Sequence, residues 1–332
     1  MKQPVIEVKD VKIHFRTDEG ISKAVDGVDF TIDRAATLGL VGESGCGKSV
    51  TAHSLLNIIP PRGTLSGEIL YHKQHGDGAA HIIDIAKLNP NGKQIRALRG
   101  HDIAMIFQEP MTSFSPVHTI GDQIMEAILL HRTSDTREAR EIARDMLRKV
   151  GITNPDQRLD EYPQQLSGGM RQRAMIAMAL SCHPAVLIAD EPTTALDVTI
   201  QAQVLELMQQ LQEEFGMAIL FITHDLGVIA EMVNEVAVMY LGKIVEFGKV
   251  ATIFDTPYHP YTKALLQSIP KLGKTTGEPL ASITGSVPVP IDLPKQCPFY
   301  ERCTEAFEQC TQGVPPAIVK EDGHTVRCFH YE

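Results

Sequence analysis

Eight consecutive residues, Gly42-Glu43-Ser44-Gly45-Cys46-Gly47-Lys48-Ser49, constrain this chain more than any other stretch. They fit G-x-x-x-x-G-K-[ST], in which glycines let successive backbone N–H groups turn onto phosphate oxygens, a lysine reaches the β and γ phosphates and a hydroxyl binds Mg²⁺. Leu38-Gly39-Leu40-Val41 before it reads as a short apolar strand. Ala52, Leu55, Leu56 and Ile59 after it fall at i, i+3, i+4, i+7 of a helix that Pro60-Pro61 ends. Strand, loop and helix N-terminus together place partial positive charge where a polyphosphate would sit. The predicted nucleotide contacts are Gly42, Ser44, Gly45, Cys46, Gly47, Lys48, Ser49 and Val50, with Ser49 also a Mg²⁺ ligand.

Further apolar runs deliver polar residues to strand ends. Val186-Leu187-Ile188-Ala189 ends in Asp190-Glu191-Pro192, which sets two carboxylates at the carboxyl edge of a parallel sheet, where α/β proteins hold ligands. Asp190 is the predicted Mg²⁺ ligand, directly or through water, and Glu191 the residue that acts on the attacking water. Ala218 to Thr223 leads into His224, a candidate γ-phosphate contact, and Ile103 to Phe107 leads into Gln108, whose neutral amide can bind Mg²⁺ or water. Each residue taken alone has an ordinary structural explanation. Their recurrence at strand termini is what marks them as a set.

Taken with Leu166-Ser167-Gly168-Gly169-Met170, this set resembles the nucleotide-binding subunit of an ATP-binding cassette transporter. The phosphate loop, Gln108, the Ser167 turn, Asp190-Glu191, the Ala195-Leu196-Asp197 turn and His224 follow that family's order, and the resemblance covers residues 5 to about 255. It implies ATP hydrolysis in an α/β P-loop fold with a mostly parallel sheet core, an antiparallel β subdomain and a helical subdomain at about 112–182. It also implies that two cassettes pack head to tail, so that Ser167, Gly168 and Gly169 of one subunit meet the γ phosphate held by the other, with Asp197 at the seam. Ser167 suits a helix N-cap, and its glycines allow close approach. Met170 stands where many cassettes carry Gln. The family's adenine-stacking aromatic is placed at Phe15, and Arg34-Ala35-Ala36 replaces a common Gly-Glu with an altered hairpin turn. Residues 108 to 116 would transmit nucleotide state to a membrane subunit.

The 332 residues, 43% apolar and 22% charged, suffice for one large domain and a smaller appendage. A net charge of -10 argues against a nucleic-acid-binding surface. No run approaches the roughly 18 apolar residues of a membrane helix, and Met1-Lys2-Gln3-Pro4 opens no signal peptide. The expectation is a peripheral protein on the cytoplasmic face of the membrane. Short strands are predicted in residues 1–36 and 69–85, with a turn at Gly76-Asp77-Gly78. Ile124, Ala127, Ile128 and then Ile142, Met146, Leu147, Val150 mark amphipathic helices that Thr153-Asn154-Pro155-Asp156 interrupts. No internal repeat supplies a second cassette.

Past Gly248 prolines punctuate the chain, with one clear helix at about Tyr261 to Ile269. The reading is a cassette over 1–255 and an extension over 256–332 that adds nothing to the sheet. The extension holds Cys297, Cys303, Cys310 and Cys328, spaced C-x5-C-x6-C-x17-C. Such thiols can bind zinc, surround an iron-sulfur cluster or remain free, and spacing alone leaves these open. His324 and His330 are further possible ligands, whereas Cys46 and Cys182 read as packing residues. Tyr258-His259-Pro260-Tyr261-Thr262 and Cys-Pro-Phe-Tyr-Glu-Arg-Cys closely resemble the extension of dipeptide and oligopeptide importer ATPases. That resemblance implies a [4Fe-4S] cluster on the four cysteines, with Zn²⁺ the alternative. It also implies as partners a second ATPase subunit, identical or paralogous, two permease subunits and an extracytoplasmic peptide-binding protein. Nickel or sugar importers share much of the pattern. A soluble cassette ATPase of DNA maintenance or translation is the reading from another class.

Overall fold

The computed structural model describes residues 3–74, 80–108, 113–194, 196–269 and 283–332. The predicted turn at Gly76-Asp77-Gly78, residues 109–112 after Gln108, and Ala195 lie outside these residues. The strands are β1 Pro4–Thr17, β2 Gly20–Asp33, β3 Thr37–Val41, β4 Gly63–Gln74, β5 Ala80–Asp84, β6 Ile103–Ile106, β7 Val186–Asp190, β8 Ala218–Thr223, β9 Glu235–Tyr240, β10 Lys243–Lys249, β11 Ile318–Val319 and β12 Thr325–Val326. The chain forms two compact units. One comprises residues 1–5, 32–36 and 88–221, and the other residues 6–31, 37–87 and 222–332.

The second unit carries the phosphate loop. Its antiparallel sheet runs β2-β1-β4-β5, with Ile6 opposite Tyr71, Val8 opposite Ile69 and a bulge between Lys9 and Lys12. Burial along β1 falls mainly on Ile6, Val8, Val11 and Ile13, the face that meets the core. A second set of strands runs β11-β12-β10-β9-β3. In it β3 pairs β9 in parallel, Leu38 with Glu235 through Val41 with Val238, and all five residues of β3 are buried, as expected of a strand covered on both faces.

Two expectations are corrected here. The helix after the loop spans Lys48–Ser54, ending well before Pro60, because Asn57 takes a left-handed conformation (φ 50°) and its Nδ2 donates to the Ile85 carbonyl at 3.2 Å. The extension does join the sheet. Thr325 and Val326 of β12 pair antiparallel with Phe247 and Glu246 of β10, and β11 pairs with β12. A bare edge strand presents unpaired N–H and C=O groups, and this short β-branched hairpin covers them. A helix at Val250–Asp255 also precedes the predicted one, which spans Pro260–Gln267.

The first unit holds parallel β6 and β7, with Ile103 opposite Val186 through Ile106 opposite Ala189. Helices Ile120–His131 and Thr136–Lys149 match the predicted amphipathic pair, and the first is closed by a Thr119–Asp122 capping box. The predicted break at Thr153 to Asp156 starts a short helix, Pro155–Leu159, behind Asn154 at φ 53°, since proline suits a first helical turn. Helix Val198–Phe215 buries Val204, Leu205, Leu207, Met208 and Leu211 on one stripe. Cys182 is buried, its thiol on the Ala127 carbonyl at 3.5 Å. Among the described residues no helix is long and apolar enough to cross a membrane.

Candidate nucleotide site

The loop Gly42 to Ser49 owes its path to three glycines. Gly42, Gly45 and Gly47 have φ of 150°, 81° and 107°, values that L side chains resist. A Cβ on Gly42 would come within 2.2 Å of the Met239 carbonyl oxygen, and one on Gly47 within 2.3 Å of that of Ala24, whereas the space over Gly45 is open. The loop is therefore pressed onto β9 and β2 at two points and left clear at its crest. Lys48, 5% exposed, donates through its ammonium to the carbonyl oxygens of Gly42 at 2.7 Å and Glu43 at 3.0 Å. Cys46 lies buried beneath, its thiol pKa pushed up by burial, in keeping with a packing role. Ser44 and Gly45 are exposed, and Ser49 and Val50 are half-buried.

Phe15, placed on β1 opposite Gly63, is half-buried and lays its ring against that glycine, where a Cβ would meet it at 2.6 Å. His224 lies exposed just past β8, before Asp225, whose carboxylate caps the next helix by accepting from the Gly227 N–H at 2.8 Å.

In the first unit, the β6–β7 register sets Gln108 beside Asp190 and Glu191. The Gln108 Nε2 donates to Glu191 Oε2 at 3.1 Å, and the Thr194 hydroxyl donates to the same oxygen at 2.9 Å. Asp190 is 4% exposed. Glu191 sits at φ 48°, a sparsely populated conformation for a non-glycine residue, of the kind stored at functional sites. Ser167 caps helix Gly168–Leu180, its hydroxyl accepting from the Met170 N–H at 3.3 Å. Asp197 caps helix Val198–Phe215 by accepting from the Ile200 N–H at 3.0 Å. Gly169 abuts Ile200 so closely that a Cβ would lie 3.1 Å from it, while Gly168 faces open space. The structure thus brings the serine-glycine turn against the helix that Asp197 starts.

The donor sets suit the groups implied for them. Backbone amides, a lysine and an open crest suit a polyphosphate, and hydroxyl, amide and carboxylate oxygens suit Mg²⁺. The cysteines are a different case. Cys297, Cys310 and Cys328 are buried, and the Cys297 N–H donates to the Cys310 carbonyl at 2.8 Å. Burial pushes the Cys297 thiol up to about 11, with Cys310, Cys328 and Cys303 adding to the rise. Among the described residues no group of three or more His, Cys, Asp or Glu is arranged to hold a metal ion. The histidines are spent elsewhere: His324 Nε2 pairs with Glu246 Oε1 at 2.8 Å in the core, and His330 Nε2 meets the Glu305 carbonyl at 2.8 Å.

Residues 25–194 match the ABC transporter family. Residues 245–310 match the oligopeptide/dipeptide transporter C-terminal region. The chain belongs to the ABC transporter family. The provisionally named peptide import ATP-binding protein of Brucella melitensis biotype 1 is 48% identical over 338 residues, covering 100% of this chain and 98% of that protein. The oligopeptide transport ATP-binding protein AppD of Bacillus subtilis strain 168 is 47% identical over 99% of this chain and 97% of its own length. Among solved structures, the ATP-binding cassette MJ0796, bound to ADP and Pi in a dimeric post-hydrolysis state, superimposes with a TM-score of 0.63 at 24% identity. It covers 74% of this chain and 98% of that one, and supports the fold. As a member of this family the chain is an ATPase.

Sequence reasoning passed over Thr194 as a partner of Glu191. It also passed over Tyr261 and Arg302, which reach Glu43 inside the phosphate loop. Both lie in the motifs that mark the extension, so the signal was present and only its target was hidden.

Proposed function

We infer that this chain is the ATP-hydrolysing subunit of a membrane importer of dipeptides or oligopeptides, acting at the cytoplasmic face of the membrane. The observation that carries the reading is the pairing, in one chain, of a phosphate loop closed on Lys48 with a Glu191 held by Gln108 and Thr194. The match of residues 245–310 to the peptide transporter C-terminal region supports the cargo class.

The chemistry follows from these residues. Lys48 exchanges its two carbonyl partners for phosphate oxygens, and the amides of the loop donate to the same anion. Ser49, Gln108 and Asp190 are assigned to Mg²⁺, which when bound neutralises developing charge on the phosphoryl group. Glu191 orients and takes a proton from the attacking water, with Gln108 and Thr194 fixing its carboxylate. His224 is assigned to the γ phosphate and Phe15 to the adenine face. Ser167, Gly168 and Gly169 complete the site of a second cassette, with Asp197 at the seam, so that closure of two ATPases drives two permease subunits that receive peptide from an extracytoplasmic binding protein. Residues 1–255 form the cassette in this reading, and 256–332 the extension.

We assign Cys297, Cys303, Cys310 and Cys328 to a [4Fe-4S] cluster, with Zn²⁺ as the alternative; four cysteines within the extension support the assignment. Anaerobic purification with ultraviolet-visible spectra and iron and zinc analysis tests it, and a colourless, zinc-loaded product refutes the cluster. The transport function is tested by ATP-dependent uptake of labelled di- and oligopeptides into vesicles carrying this chain with its permeases. Nickel or sugar uptake in place of peptide would overturn the cargo assignment.

A further inference from the structure

The phosphate loop contains a carboxylate, Glu43, and every polar group of that residue is held. Its carbonyl accepts from Lys48 at 3.0 Å. Its N–H donates to the Tyr261 hydroxyl at 2.8 Å. Its carboxylate receives a two-pronged bond from Arg302, Nη1 to Oε2 at 2.7 Å and Nη2 to Oε1 at 2.9 Å. Tyr261 and Arg302 both come from the extension, some 220 and 260 residues along the chain from their partner.

The clamp is rigidly built. The Arg302 side chain is 5% exposed, its Nε donates to the Thr284 carbonyl at 2.9 Å and its Nη2 to that of Gly285 at 3.2 Å. Its guanidinium lies 5.7 Å from the Tyr240 ring centroid. Tyr261 is fully buried, and its ring sits 4.7 Å from that of Tyr240 and 5.4 Å from that of Phe299. A planar guanidinium in such a frame offers a fixed fork matched to a carboxylate, which an ammonium reproduces only as a point charge.

A carboxylate within a phosphate-binding loop opposes the charge of its ligand, and in a partly desolvated site that opposition is strong. We propose that Arg302 and Tyr261 are positioning residues of the ATPase reaction, holding Glu43 turned away and neutralised so that the loop presents its amides and Lys48 to the polyphosphate. The proposal rests on the ATPase reading. It gives the extension a direct part in nucleotide binding, whatever the cysteines hold.

The test uses the full chain, with fluorescent ATP titration for affinity and steady-state hydrolysis for kcat and KM. Arg302→Ala is expected to raise Kd and KM for ATP about tenfold, about 1.4 kcal/mol, with kcat within about threefold. Arg302→Lys retains the positive charge and is expected to recover part of the loss. The decisive variant is Glu43→Gln/Arg302→Ala, which removes the repelling carboxylate and is expected to return Kd to within about threefold of the unaltered chain. A purely structural role for Arg302 predicts no such recovery. If Arg302→Ala fails to fold, Arg302→Lys and the double variant carry the same comparison. A Kd within twofold of the unaltered chain in Arg302→Ala, or a double variant as weak as the single one, overturns the proposal. An unaltered chain that binds no ATP at millimolar concentration refutes the ATPase reading itself.

Discussion

The amide of Gln108 and the carboxylate of Glu191 lie 3.1 Å apart, joined across the ends of two parallel strands whose register differs by no bulge. The bond fixes one carboxylate oxygen while Thr194 reinforces the same atom; in the function proposed above Glu191 takes a proton from the attacking water.

Replacement of Glu191 by Gln should therefore lower turnover by on the order of 10² to 10⁴, the usual reach of general-base catalysis, while ATP still binds. Hydrolysis measured near the parental rate would remove Glu191 from its role.

A second prediction concerns the attachment of the extension. The Glu246 carboxylate is buried and accepts from the Tyr258 N–H at 2.6 Å, the His259 N–H at 3.0 Å and His324 Nε2 at 2.8 Å. Glu246→Leu would leave three buried donors without an acceptor, at a cost of about 3–5 kcal/mol. Glu246→Gln keeps an acceptor and should cost about 1–2 kcal/mol. Denaturant unfolding monitored by circular dichroism measures both, and an equal loss in the two variants would show that packing, not these bonds, anchors the segment.

The third concerns pH. Burial lowers the His259 pKa to about 4, and its Nδ1 accepts from the Tyr261 N–H at 3.0 Å, which requires the neutral ring. The folded pKa lies below the unfolded value of about 6.5, so the unfolded chain binds the extra proton and stability falls as pH drops between these values. The full loss is about 3 kcal/mol, reached near pH 4. His259→Asn should flatten this part of the stability profile, and an unchanged slope between pH 6.5 and 4 would assign it to other groups.

The fourth tests the altered hairpin turn. Ala35 sits at φ 53° between Asp33 and Ala36, whose backbone groups bond at 3.3 Å. An L residue pays about 1–2 kcal/mol there, partly offset by glycine's greater freedom when unfolded. Ala35→Gly should therefore raise stability by about 0.5–1 kcal/mol, and a melting temperature that falls instead would mean the alanine methyl has a packing role.

Much of this was legible in the sequence because the relevant interactions are local. The continuous apolar runs of β3, β7 and β8, the loop glycines and the cap Ser167 each declare themselves within a few residues. The misreadings involve distant partners. Asn57 ends its helix early through a bond to Ile85, and Thr325-Val326 joins the sheet by pairing with Phe247 and Glu246 of β10, far upstream. Arg302 and Glu43 meet across most of the chain's length, and no local period could announce that.

The β11–β12 hairpin has a consequence for how this protein tolerates damage. A chain cut before residue 318 would end its sheet on the naked amides of β10, an inviting template for a neighbouring copy to add its own strand. Proteolytic clipping of the tail should thus turn a well-behaved subunit into a self-associating one, irrespective of whether it can still bind nucleotide.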